Sequence, residues 1–351
     1  MLKVGIIGSG RIARGAHAGA WGRLRDHATV TAVSDIVRSH ADELAQKLLA
    51  RTGNPVETYE DYHALIREAD VDAVDICLPH HLHADAILAA AAAGKHILCE
   101  KPMCISLAEA DEIVTAVDRA GVTYMSAHNE LFYPSIVAAK AFLDRGSLGR
   151  PFVIRSHEFP QGYPEARIPG RPPATTGMRG WRANRETMGG GMLIDKGYHP
   201  TYILLYLSGS EPVAVTAMAN TYVADMEGED TALVLVKFAN GAIGQIFTGE
   251  GFAFPANDAK FHLIGERGEL YGGRWDVYSK PRGFAEPART VFSPEATPTP
   301  FDQEILHFCD SVATGRRPIQ DHHDGRRVLA VIRAAYRSLE TGRTEAIGDR
   351  R

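Results

Sequence analysis

The chain lacks a long hydrophobic run. Its longest candidate, Ala86 to Ala93, stops between Asp85 and the Gly94-Lys95 pair, well short of the roughly 18 apolar residues that a membrane span needs. An excess of one charge is also missing. The 351 residues carry 38 Lys plus Arg against 43 Asp plus Glu, which gives neither the basic surface of a nucleic-acid binder nor a disordered acidic tail. Cysteine is scarce, and Cys77, Cys99, Cys104 and Cys309 show no CxxC spacing. No disulfide framework and no zinc site are expected, and the chain reads as reduced and cytoplasmic. The amino terminus has too short an apolar stretch and no small-residue cleavage site for a signal peptide. Internal repeats and low-complexity tracts are absent. At roughly 100 to 200 residues per domain, the length predicts two domains.

The first 125 residues alternate short apolar runs with helical patterns. Lys3–Ile7, Val30–Ser34, Ala73–Leu78, His96–Cys99 and Val122–Ser126 read as strands. Arg11–Trp21, Arg38–Leu49, His83–Ala93 and Leu107–Ala120 read as helices, the last starting at Ser106 with Glu109 in capping position. Near-continuous apolar strands separated by helices predict a parallel sheet covered on both faces. After a helix over Pro134–Arg145, strands dominate: Phe152–Phe159, Val213–Tyr222, Thr231–Phe238, Ala242–Gly249 and Ala259–Ile264. Asn240-Gly241 predicts a type I′ hairpin. Residues 126–351 therefore read as an α+β domain with a large, mainly antiparallel sheet, closed by helices over Phe301–Thr314 and Gly325–Thr341. The Pro-, Gly- and Arg-rich stretch Gln161–Thr187 predicts a long surface loop.

Three motifs carry chemistry. Gly8-Ser9-Gly10-Arg11-Ile12-Ala13 is a GxGxxA turn after the first strand and at the start of a helix. Gly8 permits the turn, Gly10 admits a pyrophosphate, and the N–H groups and dipole of the helix start attract phosphate. Asp35, closing Val33-Ser34-Asp35, stands near the spacing of a ribose-binding acid, which favours NAD over NADP; a cap of the following helix is the lesser reading, and Arg38 leaves NADP open. Glu100-Lys101-Pro102 follows the strand His96–Cys99 at the carboxyl edge of the sheet, where ligands bind, although a charged pair there also fits a solvated turn. Asp195 and His199, after Gly189-Gly190-Gly191, are four residues apart, one face of a helix. A carboxylate beside an imidazole makes a general acid/base near neutral pH, and a plain helical ion pair is the other reading.

This ordered set resembles the Gfo/Idh/MocA family of oxidoreductases along essentially the whole chain. Cys77-Leu78-Pro79-His80-His81-Leu82-His83 is similar to the family's TPxxxH segment, and Ala92-Ala93-Gly94-Lys95-His96 to the lead into its Glu-Lys-Pro motif. The resemblance implies a Rossmann domain over residues 1–125 and a substrate-binding and oligomerisation domain over 126–351. It implies hydride exchange between nicotinamide and a secondary alcohol or ketone of a sugar, sugar derivative or cyclitol, as in sugar and inositol dehydrogenases. Lys101, Asp195 and His199 would be catalytic and would touch substrate. Leu78, Pro79, His80, His83, Glu100, Lys101 and Asn129 would join Gly8, Ser9, Gly10, Arg11, Ile12 and Asp35 around the cofactor. A homodimer or homotetramer and no metal are implied; His80, His81, His83, His322 and His323 also lack recurring zinc spacings.

The sequence departs from the family where Asn129-Glu130-Leu131-Phe132-Tyr133-Pro134 has Leu131 at a usual arginine, and where Tyr202 replaces the acid of His-xx-Asp. Both changes bear on the substrate. Arg167, Arg171, Arg179, Arg182 and Arg185, with Tyr163 and Trp181, fit anion or polyol recognition as well as a solvated loop or a subunit contact; Arg182 and His157 are the substrate candidates among these stretches. Two other activities fit the same motifs: a cofactor-retaining enzyme that cleaves glycosides through transient oxidation, and a dinucleotide-sensing regulator.

Overall fold

The computed structural model describes residues 1–159, 180–250, 259–295 and 297–348. Arg167, Arg171, Arg179 and Tyr163 lie outside these residues. Strands β1 (Leu2–Ile7), β2 (Ala28–Ser34), β3 (Glu57–Tyr59), β4 (Ala73–Ile76), β5 (His96–Glu100) and β6 (Tyr124–Ala127) form the first sheet, in the order β3-β2-β1-β4-β5-β6. Every pairing in it is parallel. Strands such as Ala73-Val74-Asp75-Ile76, buried throughout, need helices on both faces. The short β3 and the helix Tyr62–Glu68 behind it are too brief and too polar to stand out in the sequence.

Helix ends follow local chemistry. Ser106 and Glu109 form a reciprocal capping box for Leu107–Ala120, and Gly121 closes that helix in the left-handed region. The expected helix Arg11–Trp21 is not regular: a π turn occupies Ala13–His17, followed by an α-helix over Ala18–Arg23. A π turn adds a residue to the helical repeat, re-aims the side chains after it, and often marks function.

The second sheet contains β7 (Pro151–Glu158), β8 (Pro212–Asn220), β9 (Thr231–Phe238), β10 (Ile243–Gly249), β11 (Phe261–Gly265), β12 (Gly268–Gly272), β13 (Asp276–Pro281), β14 (Ala288–Val291) and β15 (Glu345–Ala346). Its order is β14-β13-β12-β11-β7-β10-β9-β8-β15, antiparallel except for the β7–β10 pair. The turn at Asn240-Gly241 is not type I′. That turn needs positive φ at both residues, but among the described residues only glycines have positive φ, Gly241 at 87°. Phe238 N–H instead bonds Ala242 O at 3.0 Å, the three-residue loop that ends in a left-handed glycine. Alternation divides the strands: Val234, Val236, Ile246 and Leu263 are buried, while Met218, Leu235 and Ile243 lie exposed. The helix Tyr198–Ser208 packs on β7 and β10.

The chain falls into two compact units, Met1–Asn129 with Thr297–Arg326, and Glu130–Ala296 with Arg327–Arg351. The helix Pro300–Thr314 thus belongs to the first unit, where it packs against the helix Ala18–Arg23.

Candidate active site

The first unit sets its candidates along one edge of the parallel sheet. Strand order reverses between β1 and β4, the point where open α/β sheets hold ligands. Gly8 ends β1 with φ +92°, and a Cβ there would stand 2.6 Å from Cys77 O. Gly10 has no atom within 4 Å of its would-be Cβ, and its carbonyl accepts the first helical bond, from Arg14 N–H at 3.0 Å. Tight at one glycine and open at the other, the turn fits a pyrophosphate at the helix start; Arg11 and Ile12 stand exposed beside it. Asp35 follows β2, its two oxygens accepting from Ser9 N–H and Val37 N–H, both at 2.9 Å. Asp35 holds the turn before the helix Arg38–Thr52 without capping it, since Val37 is that helix's N-cap and no side chain caps it, and each oxygen keeps a lone pair for a ribose hydroxyl.

Leu78 and Pro79 follow β4, and His80 and His83 are buried just beyond. His83 faces two carbonyls, Nδ1 at 2.6 Å from Pro102 O and Nε2 at 2.8 Å from Leu78 O. It clamps the loop after β4 to the Glu-Lys-Pro turn, and burial holds its pKa below the usual histidine range. Asn129 opens a 3-10 turn after β6.

Glu100 closes β5, and beneath it lies a cluster that the sequence did not reveal. His17 Nε2 stands 3.1 Å from Glu100 Oε1, and His17 Nδ1 stands 2.9 Å from Asp75 Oδ2. Trp21 Nε1 donates to the same Asp75 oxygen at 2.7 Å. Burial opposes a charge on His17, but the Asp75 carboxylate, Cys77 and the hydrogen bond to Asp75 outweigh it and raise its pKa well above the usual value. Burial likewise opposes charge on Glu100, and the His17 hydrogen bond and charge with the Lys101 and His83 charges reverse it, lowering its pKa. Glu304 lies fully buried nearby, both oxygens without a hydrogen-bond partner among the described residues; burial pushes it far up, so it is neutral. A lone Asp within a buried strand was the available signal.

In the second unit Asp195 and His199 do not share one helix. Asp195 ends Met192–Asp195 and His199 lies in the first turn of Tyr198–Ser208. Between them Gly197 N–H reaches back five residues to Met192 O at 2.8 Å, a wide turn that replaces the expected four-residue spacing. Glu229 anchors the first of these helices, its Oε1 accepting from Leu193 N–H and Tyr336 Oη at 2.9 Å. Arg182 Nε donates to Asp195 Oδ2 at 3.3 Å while its guanidinium lies 4.2 Å over the Trp181 ring, so this substrate candidate does join the Asp195 site. His157 is half-buried in β7 with its ring 5.5 Å from Phe159.

His199 Nδ1 stands 3.7 Å from Glu130 Oε2, another residue that the sequence reading passed over. Glu130 Oε1 is held by Lys260 at 2.9 Å and Arg274 at 3.2 Å, and both cations also pair with Glu158. Burial works against the Lys260 charge, but Glu130 and Glu158 raise its pKa above the usual lysine value. Leu131 and Tyr202, the two departures, are both buried. No helix among the described residues is long and apolar enough to cross a membrane.

Residues 2–128 match the oxidoreductase family with an NAD-binding Rossmann fold, and residues 136–271 match the GFO/IDH/MocA C-terminal domain. The chain is 27% identical to myo-inositol 2-dehydrogenase of Thermotoga maritima, with 98% of each chain covered. It is 30% identical to trans-1,2-dihydrobenzene-1,2-diol dehydrogenase of Mus musculus over 69% of this chain and 67% of that one. Among solved structures, aldose-aldose oxidoreductase from Caulobacter crescentus, complexed with glycerol, superposes with a TM-score of 0.82 at 26% identity, covering 98% and 99% of the two chains. A glycine turn and a Glu-Lys-Pro turn on one edge of a six-stranded parallel sheet, followed by a nine-stranded mixed sheet, thus place this chain in the GFO/IDH/MocA family of NAD-binding oxidoreductases.

Proposed function

We propose that the chain is an NAD-dependent dehydrogenase or reductase acting on a secondary alcohol or ketone of a sugar, sugar derivative or cyclitol. The observation that carries this reading is that the Gly8–Ile12 turn and Glu100-Lys101 stand on the same carboxyl edge of one sheet, in a chain whose relatives include an inositol dehydrogenase. Gly8, Ser9, Gly10, Arg11, Ile12 and Asp35 hold the dinucleotide, with Leu78, Pro79, His80, His83, Glu100, Lys101 and Asn129 toward its nicotinamide end. Bound NAD supplies the hydride acceptor. His199 takes the hydroxyl proton, Asp195 orients the imidazole and favours its charged form, and Lys101 stabilises negative charge on the oxygen. Arg182, fixed by Asp195 and Trp181, and His157 contact substrate.

Residues 1–125 serve as the cofactor domain and 126–351 as the substrate and oligomerisation domain of a cytoplasmic homodimer or homotetramer. The exposed Met218, Leu235 and Ile243 of the second sheet are the surface for pairing.

The test is near-ultraviolet absorbance of reduced nicotinamide while the protein, with NAD or NADP, meets inositols, aldoses, anhydrosugars and sugar acids. A signal that depends on substrate is expected, lost by about 100- to 10,000-fold in His199→Asn. Silence with NAD still tightly bound overturns the dehydrogenase reading. Asp35→Ala should weaken NAD more than NADP; affinities for both unchanged from the parent would remove its ribose role.

A further inference from the structure

His17 belongs to no motif, yet both of its ring nitrogens face carboxylates. It ends the π turn Ala13–His17, is fully buried, and has carboxyl oxygens at both ring nitrogens. Ionised carboxyls only accept hydrogen bonds, and a neutral imidazole has one N–H to give. Only the doubly protonated ring satisfies Asp75 and Glu100 together. Around it stand Trp21 on its own helix, Asp75 and Cys77 at the end of β4, Glu100 on β5, and Phe301 and Glu304 on the helix Pro300–Thr314. Phe301 places its ring 5.9 Å away.

The contacts form one buried chain. Trp21 donates to Asp75, His17 donates to Asp75 and to Glu100, and Glu100 Oε2 accepts the backbone N–H of Lys101 at 3.2 Å. It runs from the helix of the glycine turn to the residue proposed to steady the reacting oxygen. We propose that His17 is a positioning residue: wedged between Asp75 and Glu100, it fixes the Glu100 carboxylate and, through it, the backbone from which Lys101 works. This rests on the catalytic reading of Lys101. The bond count favours such a role over simple packing, because an apolar side chain would fill the space without holding either carboxylate, and a neutral imidazole would donate to only one.

The experiment compares His17→Gln with Lys101→Met. For His17→Gln we expect kcat to fall by about 10- to 100-fold, the cost of a slightly misplaced group, while NADH affinity measured by fluorescence stays within about 3-fold, as expected of a group that does not touch the cofactor. In the unsubstituted protein, nitrogen NMR of labelled histidines should show two N–H groups on His17 at neutral pH, past the usual histidine transition. A folded His17→Gln protein with unchanged kcat, or a single His17 N–H at neutral pH, overturns the proposal. Lys101→Met separates the two claims: if it retains activity the catalytic reading of Lys101 fails, and if it is inactive while folded His17→Gln is fully active only the positioning role fails. Should His17→Gln not fold, Asp75→Asn, which keeps the shape and drops the charge that holds His17, must show the same loss of kcat with NADH affinity again within about 3-fold, and unchanged kcat in it overturns the proposal.

Discussion

Each compact unit buries a knot of ionisable groups, and the two are balanced in opposite ways. In the first, one imidazolium serves Asp75 and Glu100, while Glu304 adds a carboxyl that must stay neutral. In the second, Lys260 and Arg274 meet Glu130 and Glu158 one for one, each cation touching both acids. The second set keeps its charges across the neutral range, because a lysine raised above its usual value and an arginine do not titrate there. The first owes its balance to protons held by a histidine and a glutamate. A buried cluster with permanent cations is a fixed scaffold beside His199, whereas one built on protons ties the Glu-Lys-Pro turn to pH.

The sharpest break of this contrast is Lys260→Met. It leaves Glu130 and Glu158 buried with Arg274 alone, and losing one partner of a buried pair costs about 3–5 kcal/mol. Urea unfolding measures the loss. A cost below about 1 kcal/mol, the range of exposed pairs, would mean that Arg274 alone balances both acids.

The next test uses pH. His17, raised in the folded chain, contributes stability that is complete below its ordinary value of 6.5 and fades as pH climbs through the folded value. Glu304, also raised, keeps a proton that the unfolded chain releases above about 4.5, so its contribution fades with rising pH as well. Glu100, lowered, acts the other way: its contribution is present above 4.5 and is lost as pH falls through the folded value. Folding stability should therefore decline as pH rises past 6.5 toward the raised folded value of His17. Glu304→Gln, which needs no proton, should be more stable than the parent by about 1–3 kcal/mol at neutral pH and should lose stability less steeply. Parallel urea curves at every pH for the two proteins would remove Glu304 from the account.

The sequence made the sheets legible because their signals are local: buried apolar strands in the first half, alternation such as Val234-Leu235-Val236 in the second, and a glycine turn at the first strand-to-helix junction. The strands it missed, β3 and β12 to β15, are short or rich in glycine and charge, so their pairing supplies what their composition does not. Lys101, Asp195 and His199 stood out only as members of an ordered set. The residues that surround them did not, because Glu304 reaches Glu100 across some 200 positions and Lys260 reaches Glu130 across 130. A helix residue such as His17 looks like any other until a π turn aims it inward, and the four-residue spacing of Asp195 and His199 gave no warning that Gly197 interrupts the helix.

The smallest expected effect probes the far end of the first cluster. Trp21→Phe keeps an aromatic ring, removes one hydrogen bond to Asp75 and leaves the indole's second ring unfilled, so the bond's own share of the stability loss should be about 1.5 kcal/mol, the low end for a bond to a charged group. If the cluster is held by its proton rather than by its outermost bond, His17 keeps both N–H groups in this variant and the pH slope of stability is unchanged. A slope that steepens would instead show that Trp21 shares in holding the Asp75 charge: with that bond gone, Asp75 leans harder on the imidazolium, and more of the fold's stability rides on a group that titrates. The Lys260 network offers no such outcome, since loosening one of its bonds leaves two permanent cations in place.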